Sequence, residues 1–264
     1  MTLTPDHIAD LIMRLRETQP LVQCITNIVV SNWSANVLLA SGAAPAMVDN
    51  QHEARGFAEI ASAVLINTGT PYEDTVAAMW QAVAGATAAG TPWVLDPVGA
   101  GALPWRTTVA TELLSMAAPT IVRGNASEIS GLAGASGGRG VDSAHSIDDV
   151  AALASELARH HSTVVAVSGP VDLITDGERV VRVHNGHPMM TRVTGVGCSL
   201  GSLMAAFAPL TEDPVLAATA ATGLLTVAAE QAMAQDPGPG TFAVRLLDAL
   251  AADPADIAAG LRLS

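Results

Sequence analysis

Short apolar runs alternate along the chain with longer segments in which apolar residues recur every three or four positions. Leu21–Ile25 is a short, mostly apolar run that predicts a strand, and Ala63–Asn67 and residues 93–95 are apolar up to their ends, as is typical of buried parallel strands. The segment that starts at Thr4-Pro5 has a capping hydroxyl, a proline in the first turn and an apolar stripe, so it predicts an amphipathic helix. This alternation predicts an α/β fold with a mostly parallel central sheet.

The same alternation continues to the end of the chain. Helices are predicted around Val30 to Leu38 and over 53–61, 75–89 and 107–116, and further strands over 120–122 and 163–167. Asp176-Gly177 lies between two apolar stretches and predicts a hairpin at an antiparallel margin of the sheet. A flexible loop is expected over 134–140, followed by a helix that starts at Ser146 and runs to about His160. Beyond Phe207 the pattern predicts two more helices and no strand.

Length and composition favour a single domain over residues 1–264, because no Ser/Pro-rich or charged linker divides the chain. Because three of the first fourteen residues are charged, we do not expect an export signal there. The uncharged run 75–95 is interrupted by Gly90 and Pro92, so we do not expect a membrane span there. Cys24 and Cys198 form no C-x-x-C pair, which fits a reducing cytoplasm.

Charge excludes several classes of function. A formal net charge of −13 repels polyanions, and 3% aromatic residues leave few surfaces on which bases could stack, so nucleic-acid binding is not expected. The twelve basic residues are all arginines. Without lysine there can be no Walker A loop, no protein-kinase lysine and no Schiff-base chemistry. If the protein handles phosphate, it must use backbone amides, arginine and metal ions.

Polar side chains follow the predicted strands at the edge where ligands bind in parallel α/β sheets. Asn27 comes just after the first strand and can either contact a ligand or cap a turn. Asp96 ends a buried strand before a glycine-rich loop, where it can either hold a hydrated Mg²⁺ or cap the loop.

The next two strand ends add a cation, an acid and a hydroxyl. Arg123 can reach phosphate oxygens, and Glu128 can support a metal ion. Read alone, Asn125 and Glu128 could be only a helix cap and its first-turn acid. Ser168 follows the strand over 163–167. Because polar groups recur at successive strand ends, we expect these residues to share one site.

A glycine-rich loop leads into a long apolar helix between Asn185 and Phe207. Gly195 and Gly197 precede the helix, so its first amide groups could bind a phosphate closely, and the same turn would stabilise a thiolate at Cys198. The alternative is a tight turn with a small packing cysteine. A dinucleotide-binding fingerprint does not fit, because no strand follows the helix.

Two other features have less specific interpretations. Met47, at the end of the apolar stretch 43–48, can line a pocket or simply fill the core. His184 and His187 have a possible ligand spacing, but without a third ligand or an acid partner we expect structural roles.

Taken together, the motifs resemble hydroxyethylthiazole kinases, which are ribokinase-like vitamin kinases. The similarity spans residues 20–250 in the same order and rests on ITNIVVSNWSANVLLASGAAPAMV, PWVLDPVGAGAL, IVRGNASEI, GGRGVD, VDLITDG and MMTRVTGVGCSLGSLMAAF. The resemblance implies a three-layer α/β/α fold and a homotrimer. It also implies ATP- and Mg²⁺-dependent phosphorylation of 4-methyl-5-(2-hydroxyethyl)thiazole in thiamine synthesis or salvage.

The resemblance also implies roles for individual residues. Met47 and Gly195 would contact the thiazole alcohol, Arg123 and Ser168 would contact ATP, Asp96 and Glu128 would organise Mg²⁺, and Cys198 would be the base beside the reacting hydroxyl. From its position in the chain, Asn27 is also predicted to contact the substrate. Gly197 is predicted in the same way to contact ATP. Gln23, Arg192 and Val196 depart from the family pattern, where histidine, lysine and a small hydroxyl residue are common. A kinase for hydroxymethylpyrimidine or another small vitamin alcohol, or a non-catalytic thiazole or nucleotide sensor, remain alternatives.

Overall fold

A central sheet of eight strands, in the order β2-β1-β3-β4-β5-β6-β7-β8, organises the computed structural model, which describes residues 3–135 and 147–264. The strands are β1 (Leu21–Ile25), β2 (Ala44–Ala46), β3 (Ala63–Asn67), β4 (Trp93–Asp96), β5 (Ile121–Asn125), β6 (Val164–Ser168), β7 (Asp172–Thr175) and β8 (Val180–Val183). The helices before β6 are α1 (Pro5–Thr18), α2 (Ser31–Ser41), α3 (Ala54–Ile60), α4 (Glu73–Ala89), α5 (Pro104–Met116), α6 (Ala126–Ala135) and α7 (Ile147–His161). Those after β8 are α8 (Val196–Phe207), α9 (Pro214–Ala232), α10 (Pro239–Leu250) and α11 (Pro254–Gly260), with short 3-10 helices at Pro188–Arg192 and Ala208–Leu210.

Helices cover both faces of this sheet. Alternate residues of β3 point to opposite sides, so that Leu65 belongs to the hydrophobic cluster formed with α1, α2, α8, α9 and α10, whereas Ile66 belongs to the cluster formed with the helices α3 to α7. The two hydrophobic clusters give the three-layer α/β/α arrangement expected from the alternating pattern. β1 to β6 pair in parallel, and β7 and β8 are antiparallel, so the predicted mixed sheet and its hairpin margin are confirmed.

Some boundaries differ from the prediction. The strand predicted over 120–122 runs on to Asn125, because Arg123 and Gly124 pair with Ala166 and Val167 of β6. Arg123 therefore lies within β5 rather than after it. Helix α11 was not predicted, and α6 extends through Gly134, where a loop was expected. The rest of the predicted loop, the GGRGVD motif and the helix start at Ser146 lie outside the described residues.

Helix α9 is the most apolar long element of the described chain. Pro214–Ala232 is long and apolar enough to cross a bilayer. However, 83% of its apolar stretch is buried inside the fold, as in a core helix. The uncharged run 75–95 divides into α4 and β4, as predicted.

The start of α9 is held by a charge cluster that predicts a pH-dependent contribution to stability. Asp213 accepts 2.7 and 2.9 Å hydrogen bonds from the Arg179 guanidinium and caps α9 through a 3.0 Å bond from the amide of Val215. These bonds from Arg179 hold the pKa of Asp213 below its ordinary value. A carboxylate with a lowered folded-state pKa stabilises the fold above its unfolded pKa and loses that contribution as the pH falls through the folded value.

Asp213→Ala should therefore lower the free energy of unfolding by about 1 to 2 kcal/mol at pH 7, through loss of the cap and the paired charge. The difference from the unaltered protein should shrink as the pH falls below the ordinary aspartate pKa of about 4, and the charge-dependent part should be lost once the pH passes through the lowered pKa of folded Asp213. Urea unfolding at several pH values measures this, with Asp10→Ala at an exposed position of α1 as the control. A difference that is independent of pH would show that the charge of Asp213 is unimportant.

Candidate active site

A continuous chain of polar contacts runs along the carboxyl ends of the strands. Asn27 donates a 3.0 Å hydrogen bond from Nδ2 to Oδ1 of Asn67, and Asn67 donates a 2.7 Å bond from Nδ2 to Oδ2 of Asp96. Arg123 Nη1 lies 3.5 Å from Asp96 Oδ1, and Arg123 Nη2 donates a 2.9 Å bond to Ser168 Oγ. The structure thus brings the predicted strand-end residues together in one network.

Asp96 is the most buried charge of this network. It has no exposed surface, and burial raises the pKa of its carboxyl group to about 7, with the nearby Arg123 opposing the rise and Glu128 adding to it. Oδ1 accepts no hydrogen bond from the described part of the chain and contacts Arg123 only as an ion pair. A buried carboxylate oxygen without a hydrogen bond is suited to a further cation.

Glu128 joins the loop after β4 to the end of β5, beside Asp96. Its Oε1 accepts a 3.0 Å bond from the amide of Gly99, in the loop after β4, and its Oε2 accepts a 2.9 Å bond from the amide of Asn125. Asn125 Oδ1 in turn accepts from the amide of Glu128, so the two residues form a reciprocal cap at the start of α6. The capping interpretation is correct for this pair, and the Glu128 carboxylate also fixes the glycine-rich loop.

The donor set at this edge fits Mg²⁺ better than a metal that needs an all-protein cage. Among the described residues, no three or more His, Cys, Asp or Glu side chains could hold one ion. Asp96 and Glu128 provide two carboxylates, and Mg²⁺ is commonly held by one or two carboxylates together with water and substrate phosphates.

Helix α8 begins directly against this network. Gly195 has φ of +93°, and a Cβ atom there would lie 2.9 Å from Cδ1 of Trp33, so the tight turn requires glycine. A Cβ atom at Gly197 would lie 3.2 Å from Nη2 of Arg123. The tight-turn interpretation holds for Gly195, and Gly197 brings the guanidinium close to the first turn of α8, where an anion would meet both.

The prediction of a stabilised thiolate at Cys198 is wrong. Its sulfur lies 3.8 Å from Nδ2 of Asn27, and the residue is half-buried. Burial raises the pKa of the thiol, and the negative charge of Asp96 raises it further. These two effects outweigh any lowering of the thiol pKa by the amide groups at the start of α8, so Cys198 remains a neutral thiol near pH 7.

A cleft of about 680 Å³ opens beside Arg123, between the β6–β7 connection, the 3-10 helix Pro188–Arg192 and α8. Arg123, Ser168 and Gly197 lie at its polar side, while Met190 and Leu225 contribute apolar surface. Such a volume is in the range of pockets that bury small ligands and cofactors. The cleft therefore has a polar end that carries the positive charge of Arg123 and an apolar end.

Two residues of the site were missed by sequence reasoning. Asn67 ends β3 and is fully buried, where it orients both Asn27 and Asp96. Asp172 lines the cleft and accepts a 3.0 Å bond from the amide of Gly169, and burial raises the pKa of its carboxyl group to about 6. Asn67 ends a parallel strand, which was the available signal, whereas Asp172 begins the antiparallel strand β7 and falls outside that rule.

The remaining candidates lie around this centre or apart from it. Met47 follows β2 and packs, half-buried, against the cluster that contains α8. Gln23 donates to the carbonyl oxygens of Val48 and Ala54, which fixes the segment after Met47. His187 accepts from the amide of Met189, and His184 contacts the hydroxyl of Ser264 at 2.8 Å, as expected of structural histidines.

Comparison with known families gives this geometry its context. A family model described as the hydroxyethylthiazole kinase family matches residues 12–254, which is most of the chain. The chain belongs to the hydroxyethylthiazole kinase family. The resemblance inferred from the sequence motifs is thereby confirmed, and the family is one of phosphotransferases.

Individual members of the hydroxyethylthiazole kinase family are similar over nearly their whole length. The hydroxyethylthiazole kinase of Clavibacter sepedonicus is 58% identical over 258 residues, covering 97% of this chain and 94% of that protein. The Cutibacterium acnes enzyme of the same name is 53% identical over 251 residues, covering 95% and 90%. The solved structure of hydroxyethylthiazole kinase protein from Pyrococcus horikoshii OT3 has a TM-score of 0.91 at 39% identity, covering 98% of both chains.

More distant structures agree on the fold alone. A Staphylococcus aureus pyridoxal kinase in complex with AMP-PCP has a TM-score of 0.59 at 14% identity, covering 79% of this chain and 87% of that one. The ribokinase-like fold class predicted from the motifs is confirmed by these neighbours.

Proposed function

We propose that this protein transfers the γ-phosphoryl group of ATP to the hydroxyl of 4-methyl-5-(2-hydroxyethyl)thiazole, in thiamine biosynthesis or salvage. The observation that carries the proposal is the contact chain from Asp96 through Arg123 to Ser168, set against the start of α8 at the polar side of the cleft. Membership of the hydroxyethylthiazole kinase family supports the choice of acceptor.

On the nucleotide side, Arg123, Ser168 and Gly197 would hold the phosphates of ATP. The guanidinium of Arg123 is placed by two partners, Asp96 and Ser168, and lies against the amide-rich start of α8. Charge and backbone donors therefore converge where phosphate oxygens would lie, without any lysine.

On the acceptor side, Met47, Asn27 and Gly195 would contact the thiazole alcohol. Asn27 is buried and joins the network to the thiol of Cys198, which would place the reacting hydroxyl beside the sulfur. Trp33, against which Gly195 packs, and Met47 belong to one apolar cluster that suits a small heterocycle.

Asp96 and Glu128 would hold Mg²⁺ when nucleotide is bound. The ion would neutralise charge on the phosphate oxygens during transfer. Glu128 already fixes the loop after β4 through Gly99, and Asn67 orients Asp96.

The mechanism that follows relies on positioning and charge rather than on a strong base. Phosphoryl transfer passes through a loose transition state, so alignment of the hydroxyl with the phosphate and neutralisation of charge provide most of the acceleration. The neutral thiol of Cys198 would position the hydroxyl by hydrogen bonding, and the hydroxyl proton would pass late in the transfer to an oxygen of the transferred phosphoryl group. This role tolerates a raised thiol pKa, because the thiol does not have to take up a proton.

Cys198→Ser is accordingly expected to lower kcat by about tenfold to a hundredfold without abolishing it, the size expected when a reacting hydroxyl is held in a slightly altered position. Steady-state assays with saturating ATP and thiazole alcohol measure this. Cys24→Ala, at a buried position in β1 outside the network, is the matched control and should retain kcat. Turnover lost below detection in a folded Cys198→Ser protein would mean that the thiol is essential as a base.

Phosphorus NMR tests the proposed reaction directly. Purified protein is incubated with ATP, Mg²⁺ and either the thiazole alcohol or hydroxymethylpyrimidine, and a new phosphomonoester signal is sought. Product from the thiazole alone supports the proposal. Product only from the pyrimidine would reassign the acceptor, and binding of both ligands without product would indicate a sensor.

We also propose that the protein is a cytoplasmic homotrimer. Ile28 and Val29, next to Asn27, are 73% and 61% exposed, and such an apolar pair beside a ligand residue suits coverage by a second subunit. Both cysteines are unpaired, which suits a reducing compartment. Sedimentation equilibrium tests the assembly, and a mass of one chain at assay concentration would contradict it.

A further inference from the structure

The carboxylate of Glu230 is unusual in its helix. It is the one charged side chain among the 19 residues of α9, an otherwise apolar and buried helix. Its Oε1 accepts a 2.8 Å hydrogen bond from the amide of Gly186, which lies in the loop after β8. A single charge retained in an apolar helix calls for specific partners, and one of them here is this backbone amide.

Two further residues complete the cluster around Glu230. Asn185 is buried and donates from Nδ2 to Glu230 Oε2 at 3.1 Å and to the carbonyl of Gly260 at 2.8 Å, while its Oδ1 accepts from the amide of Arg262. The Arg262 guanidinium donates to both oxygens of Glu230, at 2.6 and 3.1 Å. Glu230, Asn185 and Arg262 together form what we term the α9 clamp.

The clamp acts on a wall of the cleft. Asn185, Gly186, His187, Pro188, Met190 and Thr191 all line the cleft beside Arg123, and the clamp holds the first two of them. Gly186 has φ of +120°, and a Cβ atom there would lie 3.7 Å from Cγ2 of Thr226, one turn before Glu230. The loop is thus fixed both by its backbone conformation and by hydrogen bonds from outside the cleft.

We propose that Glu230, Asn185 and Arg262 are positioning residues for the nucleotide, which hold residues 185–191 in the shape that the nucleotide requires. This inference rests on the proposed function, since it assigns the cleft to ATP. Glu230 and Arg262 do not line the cleft, so they act through the loop rather than by touching the ligand. The clamp should affect nucleotide affinity much more than acceptor affinity.

The test compares binding of ADP by calorimetry with the KM values for ATP and for the thiazole alcohol. In Glu230→Ala, the Kd for ADP and the KM for ATP should each rise about tenfold, the size expected for loss of a charge-assisted network. The KM for the thiazole alcohol should stay within about twofold of the unaltered protein. Hydrogen exchange should accelerate in the peptide that contains residues 185–191.

Two variants separate positioning from general loss of stability. Asp213→Ala destabilises the opposite end of the same helix and should leave the Kd for ADP unchanged. Glu230→Gln keeps an oxygen that accepts from Gly186, so it should recover most of the affinity lost in Glu230→Ala.

Three results would count against these assignments, and their consequences differ. Normal ADP binding by the unaltered protein with an unchanged Kd in Glu230→Ala would overturn the role of the clamp alone. Equal rises in both KM values would do the same, because they would indicate general destabilisation. Failure of the unaltered protein to bind ADP would overturn the proposed function and this inference with it.

Discussion

Asp96→Asn is expected to lower kcat for thiazole phosphorylation by about a thousandfold, because it removes a carboxylate proposed to hold Mg²⁺. Asparagine has nearly the same shape, and its carbonyl oxygen can still accept the 2.7 Å bond from Asn67. The substitution therefore removes charge more than it removes packing. Asp96 Oδ1, which accepts no hydrogen bond within the described chain, is the atom whose charge matters most.

The measurement is kcat as a function of Mg²⁺ concentration at saturating ATP and thiazole alcohol. The half-saturating concentration of Mg²⁺ should rise in Asp96→Asn, and calorimetric titration of the ADP complex with Mg²⁺ gives a readout that does not depend on turnover. Asp74→Asn, at an exposed position in the first turn of α4, serves as the control. An unchanged Mg²⁺ dependence in a folded Asp96→Asn protein would remove Asp96 from the metal site.

Much of this site followed from one rule about parallel sheets. Asn27, Asp96 and Ser168 each follow or end an apolar run, and parallel strands deliver such positions to one edge. The sequence therefore predicts that they meet without any knowledge of the strand order. Asn67 satisfies the same rule, but an amide at the end of a strand is so commonly a turn cap that its contacts with Asn27 and Asp96 were not anticipated.

The pKa of Cys198 and the end of β5 depend on tertiary contacts, which a sequence pattern does not show. A glycine-rich helix start lowers a cysteine pKa, but the burial of Cys198 and its proximity to Asp96 arise from tertiary packing and reverse the sign. Arg123 was expected after its strand, yet the ladder with β6 continues through it because Gly124 and Asn125 also pair. The end of a strand is set by its neighbour as much as by its own residues.

Long-range polar contacts were the least predictable part. Asn185 is hydrogen-bonded to Glu230, 45 residues later in the sequence, and to Arg262, 77 residues later. No spacing rule relates such positions. The available signal was compositional, since a lone carboxylate in an apolar helix has to find a partner. That signal predicts that a partner exists but not which one.

At Arg123, substitutions can separate the contribution of the guanidinium's shape from the contribution of its charge. Its guanidinium spans Asp96 on one side and Ser168 on the other, and it lies against Gly197. A lysine ammonium carries the same charge at a single point, so it cannot keep both contacts. Arg123→Lys should therefore lower kcat/KM for ATP by about a hundredfold, and Arg123→Met, which also removes the charge, by about ten thousandfold.

The gap between these two variants measures what charge alone contributes at the phosphate end of the cleft. Arg55→Lys, in the exposed pair that Arg55 forms with Glu59 at 3.3 Å, is the matched control and should keep kcat/KM unchanged. Thermal melting must accompany the kinetics, because removing Arg123 leaves the buried Asp96 carboxylate without its counter-charge and should cost about 3 kcal/mol. If Arg123→Lys and Arg123→Met lose activity equally, the fork geometry of the guanidinium is required and charge by itself contributes nothing. If neither loses more than about tenfold in kcat/KM, the phosphates of ATP must be held elsewhere in the cleft.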